Sequence, residues 1–204
     1  MPTPRRTTVE RRVEITDAAL EIIARRGISE LTTRNVADAV GLTTGAIFRH
    51  FESLDALLVA VAERVGDLLD ASYPPAGLAP LERLEHFVDA RSTAVGDRVG
   101  ILRLMQSEQF ALALPEAAAR TLRAAIDTTR AFLIATLAEA QDAKQIRGDV
   151  APEAMAVIVM GTIQMLVMAT THGPRARRVE PHAIRAALVR LLAPPAKPER
   201  RRPR

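Results

Sequence analysis

Cysteine and tryptophan are absent from the 204 residues, and the remaining aromatics are one tyrosine and five phenylalanines. Without cysteine there is no disulfide, no thiolate metal site and no cysteine nucleophile. Scarce aromatics beside abundant Ala, Leu, Val and Arg argue against a sandwich or barrel and for helices. A membrane-length apolar run is missing too. The longest, Ala154 to Ala169, is broken by Gln164 and falls short of the ~20 residues that span a bilayer. No apolar run follows the N-terminal Met-Pro-Thr-Pro-Arg-Arg, so no signal peptide is visible. There is no strand alternation, no Gly-rich phosphate loop and no internal repeat. The expectation is an all-α, soluble, cytoplasmic protein that does not enter a membrane.

What is present begins with charge. The formal net charge is +4 and the pI about 10.5, a modest excess that suits a polyanion. Residues 1–6 and 194–204 are rich in Pro and Arg and read as disordered basic ends. Arg200, Arg201, Arg202 and Arg204 suit a solvated tail, with sequence-independent phosphate contact as the alternative. Thr7 and Glu10 have capping-box spacing for a first helix, in which Ile15, Ala19, Ile22 and Ile23 share a face and which Gly27 ends. Ser53 can cap a later helix with Asp55 in its first turn. There, Leu54, Leu57, Leu58, Val61, Val65, Leu68 and Leu69 form one apolar stripe, and Pro74-Pro75-Ala76-Gly77 breaks it. Further helices are expected over 81–95, with Leu81, Leu84, Val88, Arg91 and Val95 in step, then over 101–114, 116–142, 152–171 and 181–192.

The densest information lies in Leu31 to Phe51. Thr33 can cap a short helix. Ala37 is small enough for a second helix to cross closely. Gly41 supplies a left-handed turn that a Cβ resists. Leu42 and Ile47 can pin the second helix to the first, and Thr43 or Thr44 can cap it. Arg34, Thr44, Arg49 and His50 remain on outer faces. This is a helix-turn-helix, whose second helix would enter the DNA major groove with its first residues at base edges. The alternative is an ordinary helical hairpin within a core.

The segment from about Ile15 to Leu58 resembles the DNA-binding domain of the TetR family of transcriptional regulators (TetR/AcrR type). The matching residues are Ala19-Leu20-Glu21-Ile22-Ile23, Arg26-Gly27, Leu31-Thr32-Thr33-Arg34, Val36-Ala37, Gly41, Phe48-Arg49-His50-Phe51, and Ser53 with Ala56-Leu57-Leu58. The resemblance implies that Thr33 holds a phosphate and Arg34 reads a base. It implies that Thr43, Thr44 and Gly45 open the recognition helix, and that His50 touches the DNA backbone. Three positions depart from a common family pattern. Phe48 stands for a usual Tyr, Leu54 for a Lys and Ala46 for a Thr, each removing a contact that positions without reading sequence. Arg49 and the arginines before the first helix can compensate.

The C-terminal half supplies the rest. The helix after Pro152 is apolar nearly all round, through Met155, Val157, Ile158, Val159, Met160, Ile163, Met165, Leu166 and Val167, and needs burial on more than one side. With Ile184, Leu188, Leu191 and Leu192 of the last helix it can form a four-helix interface between two subunits, the usual TetR-family dimer. A monomer core that absorbs both helices is the other reading. Gln106, Gln109, Thr136 and Gln164 lie among apolar stretches. Met105, Gln109, Phe110, Phe132, Gln164 and Met168 are candidate walls of an organic-ligand cavity, as the family resemblance implies, although Met and Phe at helical spacing also suit plain core.

His86, His172 and His182 lack partners at metal-ligand spacing, so no metal site is expected. With no nucleophile–base pair and no paired carboxylates, neither a catalytic residue nor a cofactor is expected, and the protein does not read as an enzyme. The domain reading is 1–52 for a three-helix helix-turn-helix domain with its basic N-terminus, 53–193 for a helical ligand-binding and dimerisation domain, and 194–204 for a tail, about nine helices in all. The functional expectation is a homodimeric repressor that binds a pseudo-palindromic double-stranded operator and is released by a small, mostly apolar organic effector. The competing expectation is a helical dimeric interaction protein with a weakened DNA-binding motif.

Overall fold

The computed structural model describes residues 7–96, 112–169 and 181–194. Among them are eight α-helices: α1 (Thr8–Arg26), α2 (Thr33–Val40), α3 (Thr44–Phe48), α4 (Leu54–Asp70), α5 (Pro80–Gly96), α6 (Glu116–Asp142), α7 (Pro152–Ala169) and α8 (Pro181–Leu192), with a 3₁₀ turn over Ile28–Glu30. The described residues hold no strand. The helix expected over 101–114 lies almost wholly outside the described residues, as do Gly173-Pro174 and the basic ends.

Local chemistry explains the boundaries. Thr7 and Glu10 close the capping box that starts α1: the Glu10 N–H donates to Thr7 Oγ1 at 3.2 Å, and the Thr7 N–H donates to Glu10 Oε2 at 2.8 Å. Gly27 ends α1 at φ 94°. Ser53 caps α4 by accepting from the Ala56 N–H, with Asp55 in the first turn. Pro115 precedes α6 and Pro152 opens α7, positions where a missing N–H costs nothing.

The hydrophobic residues gather into two cores. The first joins Ile15, Ala19, Leu20, Ile22 and Ile23 of α1 to Val36, Ala37, Ile47 and Phe51, then to Leu57, Leu58, Val61, Ala62, Val65 and Leu69 of α4. Ala118 and Leu122 from the start of α6 complete it. The second joins Leu84, Phe87 and Val88 of α5 to Leu133, Leu137 and Ala140 of α6, to Met155, Val159, Ile163 and Leu166 of α7, and to Leu188 and Leu192 of α8. The 27-residue α6 is roughly 40 Å long at 1.5 Å per residue, so one helix serves both cores. Arg64 of α4 bonds both carboxylate oxygens of Asp17 on α1, at 2.8 and 3.2 Å.

Leu54 departs from expectation. It is 37% exposed, outside the buried stripe that begins at Leu57. The first turn of α4 projects past the core, so helical spacing alone overcounted that stripe by one residue. At the other end Gln141 donates to the carbonyls of Arg147 and Val150, at 2.9 and 2.7 Å. The Arg147 N–H donates to the Leu192 carbonyl at 2.7 Å. The turn from α6 to α7 is thereby tied to the end of α8.

Candidate nucleic-acid interface and effector domain

The helix-turn-helix is built from backbone needs. Thr32, not Thr33, caps α2: its hydroxyl accepts from the Asn35 N–H at 3.1 Å. Thr33 becomes the first helical residue. Of two adjacent threonines only the one with extended backbone can be the cap, and Thr32 has φ −119° and ψ 151°. The Asn35 side chain donates to the Glu30 carbonyl at 2.8 Å, fixing the approach to α2.

Gly41 sits at φ 65°, ψ 36°, a left-handed cap. The Leu42 N–H donates back to the Ala37 carbonyl at 2.9 Å, the closure of a Schellman turn. Thr43 settles the choice left open in the sequence: its hydroxyl accepts from the Ala46 N–H at 3.2 Å and caps α3. Ala37, Ala46 and Ile47 are buried at the crossing of α2 and α3.

The outward face follows from that packing. Arg34, Thr43, Thr44, Gly45 and Arg49 are exposed, and Phe48 is 53% exposed, a large apolar ring facing outward. Thr33 and His50 are half-buried. The His50 Nδ1 is buried without a hydrogen-bond partner, while its carbonyl accepts from Arg12 Nη1. The Arg12 guanidinium also lies 4.3 Å from the Phe51 ring centroid. Sequence reading missed Arg12. Only the fold brings α1 against the end of α3, and no local pattern marks an arginine 38 positions upstream of its acceptor.

The C-terminal half, expected to bind an effector, holds fewer of its candidates among the described residues. Met105, Gln109 and Phe110, with Gln106, lie outside the described residues, as does the Met168 side chain. Phe132 is half-buried in an aromatic trio, its ring centroid 5.0 Å from Tyr73 and 4.9 Å from Phe87. Gln164 is half-buried on α7, and Thr136 is 2% exposed within α6. An open groove of about 560 Å³ lies between α5 and α8, lined by Leu84, Val88, Leu188 and Leu192 with Asp89 and Arg185 among its polar residues. Neither Phe132 nor Gln164 lines it.

Arg91 is the polar residue that sequence reading underrated. The helical register put it on the apolar face of α5, and the structure buries it to 5% exposure. Burial pushes its guanidinium below the ordinary arginine value, while Tyr73 and then Asp70 act to raise it. Among the described residues no cluster of histidines and carboxylates could hold a metal, and no helix is long and apolar enough to cross a membrane.

Residues 15–61, which hold the whole helix-turn-helix, match the family model for bacterial regulatory proteins of the tetR family. The resemblance to the tetR family read from the sequence is borne out over this segment. It is similar to the HTH-type transcriptional repressor KstR2 of Rhodococcus jostii, 29% identical over 101 residues, which cover 48% of this chain and 50% of that one. To the repressor KstR of Mycolicibacterium smegmatis it is 34% identical over 89 residues, 42% of this chain and 44% of that one. The chain thus spans about half the length of the curated relatives it matches.

The whole fold is shared more widely among solved structures. That of AibR in complex with isovaleryl coenzyme A and operator DNA aligns with TM-score 0.73 at 21% identity, over 91% of this chain and 99% of that one. That of KstR2 of Mycobacterium tuberculosis, a ketosteroid transcriptional regulator, aligns with TM-score 0.70 at 21% identity, over 89% and 93%.

Proposed function

We propose that this TetR-family protein is a ligand-responsive transcriptional repressor. It binds a pseudo-palindromic operator as a homodimer and leaves it when a small, mostly apolar molecule occupies the C-terminal domain. The observation that carries this reading is the outward face of α2 and α3. Arg34, Thr43, Thr44, Gly45, Phe48 and Arg49 stand exposed on a turn whose inner residues are fully committed to packing.

Each residue has a role in that reading. Thr33 opens α2, where free backbone N–H groups favour a phosphate. Arg34 and Thr44 reach base edges, and Arg49 and His50 meet the phosphate backbone. Phe48 carries no hydroxyl for a phosphate, but its exposed ring suits a thymine methyl. AibR, solved with an acyl coenzyme A and operator DNA, supports pairing a DNA site with an effector site in this fold.

Dimerisation through α7 and α8 is supported by what the monomer leaves uncovered. Val157, Ile158 and Met165 of α7 are 62%, 52% and 63% exposed, and Leu191 of α8 is 65% exposed. An apolar face of this kind marks an interaction site. A two-fold dimer would place the recognition helices about 34–36 Å apart, one turn of B-DNA. We place the junction between the two functions in and around α4, which packs on α1 and α6 together.

The test is recovery of bound fragments from a random genomic pool, followed by binding at several salt concentrations. Enrichment of an inverted repeat, bound with steep salt dependence, is expected. Absence of salt-dependent binding to any duplex would favour the helical interaction protein instead.

A further inference from the structure

Among the described residues, every other cation that the fold partly encloses meets a carboxylate. Arg64 meets Asp17, Arg83 meets Glu139 and Arg185 meets Asp89. Arg91, at 5% exposure, is more enclosed than any of these, and among the described residues no carboxylate pairs with it. Its Nη2 donates to Thr129 Oγ1 at 3.3 Å. That oxygen already donates to the Ala125 carbonyl at 2.9 Å and lies 3.3 Å from Tyr73 Oη. The guanidinium carbon lies 4.8 Å from the Phe87 ring centroid and 5.4 Å from that of Tyr73. Its Nε is buried with no hydrogen-bond partner. The Arg83 Nε is also unpartnered, but Glu139 meets the charge of that side chain.

A guanidinium does not shed its charge in a protein, and a buried cation without a paired counter-ion is costly; Asp70 acts on Arg91 through its charge alone, with no ion pair between them. Aromatic faces and one hydroxyl offset part of that cost and leave the Nε–H unsatisfied. A site of this kind lacks one thing, an anion that can accept from Nε and a terminal nitrogen side by side, as a carboxylate does. The packing around it is apolar: Phe87, Phe132 and Tyr73 pack ring to ring, with Leu84, Val88 and Leu133 in the same buried core.

We infer that Arg91 is the recognition residue for an effector that joins one carboxylate to an apolar body. The inference rests on the repressor reading and narrows its effector from any apolar molecule to an amphiphilic acid. Position supplies the coupling. Tyr73 lies just beyond the end of α4, and Thr129 lies on the long helix that packs against α4. A carboxylate drawing the guanidinium away from the Thr129 hydroxyl and the Tyr73 ring changes the support under α4, which reaches the DNA-binding core.

The experiment uses the full chain with decanoate, 1-decanol and decyl phosphate as probes. It reads the melting temperature without DNA and displacement from the recovered operator. Decanoate should bind wild type about tenfold or more tightly than 1-decanol, the worth of charge-assisted hydrogen bonds to a buried guanidinium. Arg91→Met should erase that preference while leaving the ligand-free melting temperature unchanged or raised, because a recognition cation is not there for stability. Arg91→Lys, which keeps the charge but not the fork, should retain part of the preference.

A ligand-free melting temperature lowered by about 4 °C or more in Arg91→Met, or failure of that variant to fold, would show a structural cation and overturn the inference. Equal affinity of wild type for decanoate and 1-decanol would overturn it as well. Tenfold tighter decyl phosphate would overturn the carboxylate assignment. Because the melting arm needs no DNA, decanoate that binds through Arg91 without releasing operator upholds Arg91 and sinks the induction reading.

Discussion

At the scale of single residues, the surface proposed to face DNA would divide into side chains that read and side chains that position. Replacing Arg34 or Thr44 by Ala should cost about 1–3 kcal/mol each on the preferred operator and relax preference at one base pair. Arg49→Ala should weaken all duplexes more evenly and flatten the salt dependence. Phe48→Tyr restores a hydroxyl at an exposed position and should tighten binding without changing which operator is chosen. Competition binding against single-base operator variants separates these cases. Gly41 tests the turn itself. A Cβ there meets nothing within 4 Å, yet φ is +65°. Gly41→Ala should therefore cost about 1–2 kcal/mol from backbone strain alone, read as a lower denaturation midpoint with an unchanged slope. Most of these positions were legible in the sequence, because caps and left-handed turns are local. The choice of Thr32 over Thr33 was not, since both residue types suit a cap and only backbone angles distinguish them.

At the scale of elements, α7 and α8 each have two faces, and the choice of probe depends on telling them apart. Leu188 is 4% exposed inside the subunit's own core, so Leu188→Glu should unfold the protein, not separate subunits. Ile158→Glu and Leu191→Glu place the charge on the uncovered face and should yield folded monomers. Sedimentation at micromolar concentration, paired with helical content from circular dichroism, decides between these outcomes. Folded dimers in both variants would show that the dimer lies elsewhere. In sequence, Leu188 and Leu191 look alike on an amphipathic helix. Which of them faces inward depends on where α5 and α7 lie, and no local pattern records that.

The α4 helix is the second case. Val65 is fully buried against α1 and α6, so a truncation there loosens the element shared by both cores. Val65→Ala should lower stability by about 1–3 kcal/mol and change the ligand dependence of operator release more than ligand-free affinity. Parallel melting and operator-binding titrations, with and without decanoate, check this. A change confined to ligand-free affinity would assign α4 to DNA binding alone. The Arg64–Asp17 bridge, partly exposed on both sides, should matter less, at about 0.2–1 kcal/mol.

For the whole molecule, function in this reading is a difference between two subunit arrangements. An effector that binds both equally shifts nothing. A coupling of ~1–3 kcal/mol would change operator affinity about 5–150-fold, and measuring affinity against effector concentration gives that factor directly. Saturating an effector that binds tightly but leaves operator affinity unchanged would show that the C-terminal site does not control the DNA site.

What the sequence by itself determined is whatever depends on residues close together in the chain. The absence of cysteine ruled out thiolate chemistry. Helical spacing and caps located most of the eight helices to within a residue or two, although α4 ends at Asp70, ahead of the expected break at Pro74, and Gly41 with its flanking threonines pointed to the helix-turn-helix and to the tetR-family resemblance. What only the tertiary structure decided depends on burial, which a chain position does not carry. It withdrew Leu54 from the core, set Arg12 against the end of α3, divided Leu188 from Leu191, and enclosed Arg91 among aromatic rings with no carboxylate paired to it among the described residues. The physical reason is common to all four. A helix fixes which residues share a face at 3.6 residues per turn, but what lies opposite that face is set by segments distant in sequence.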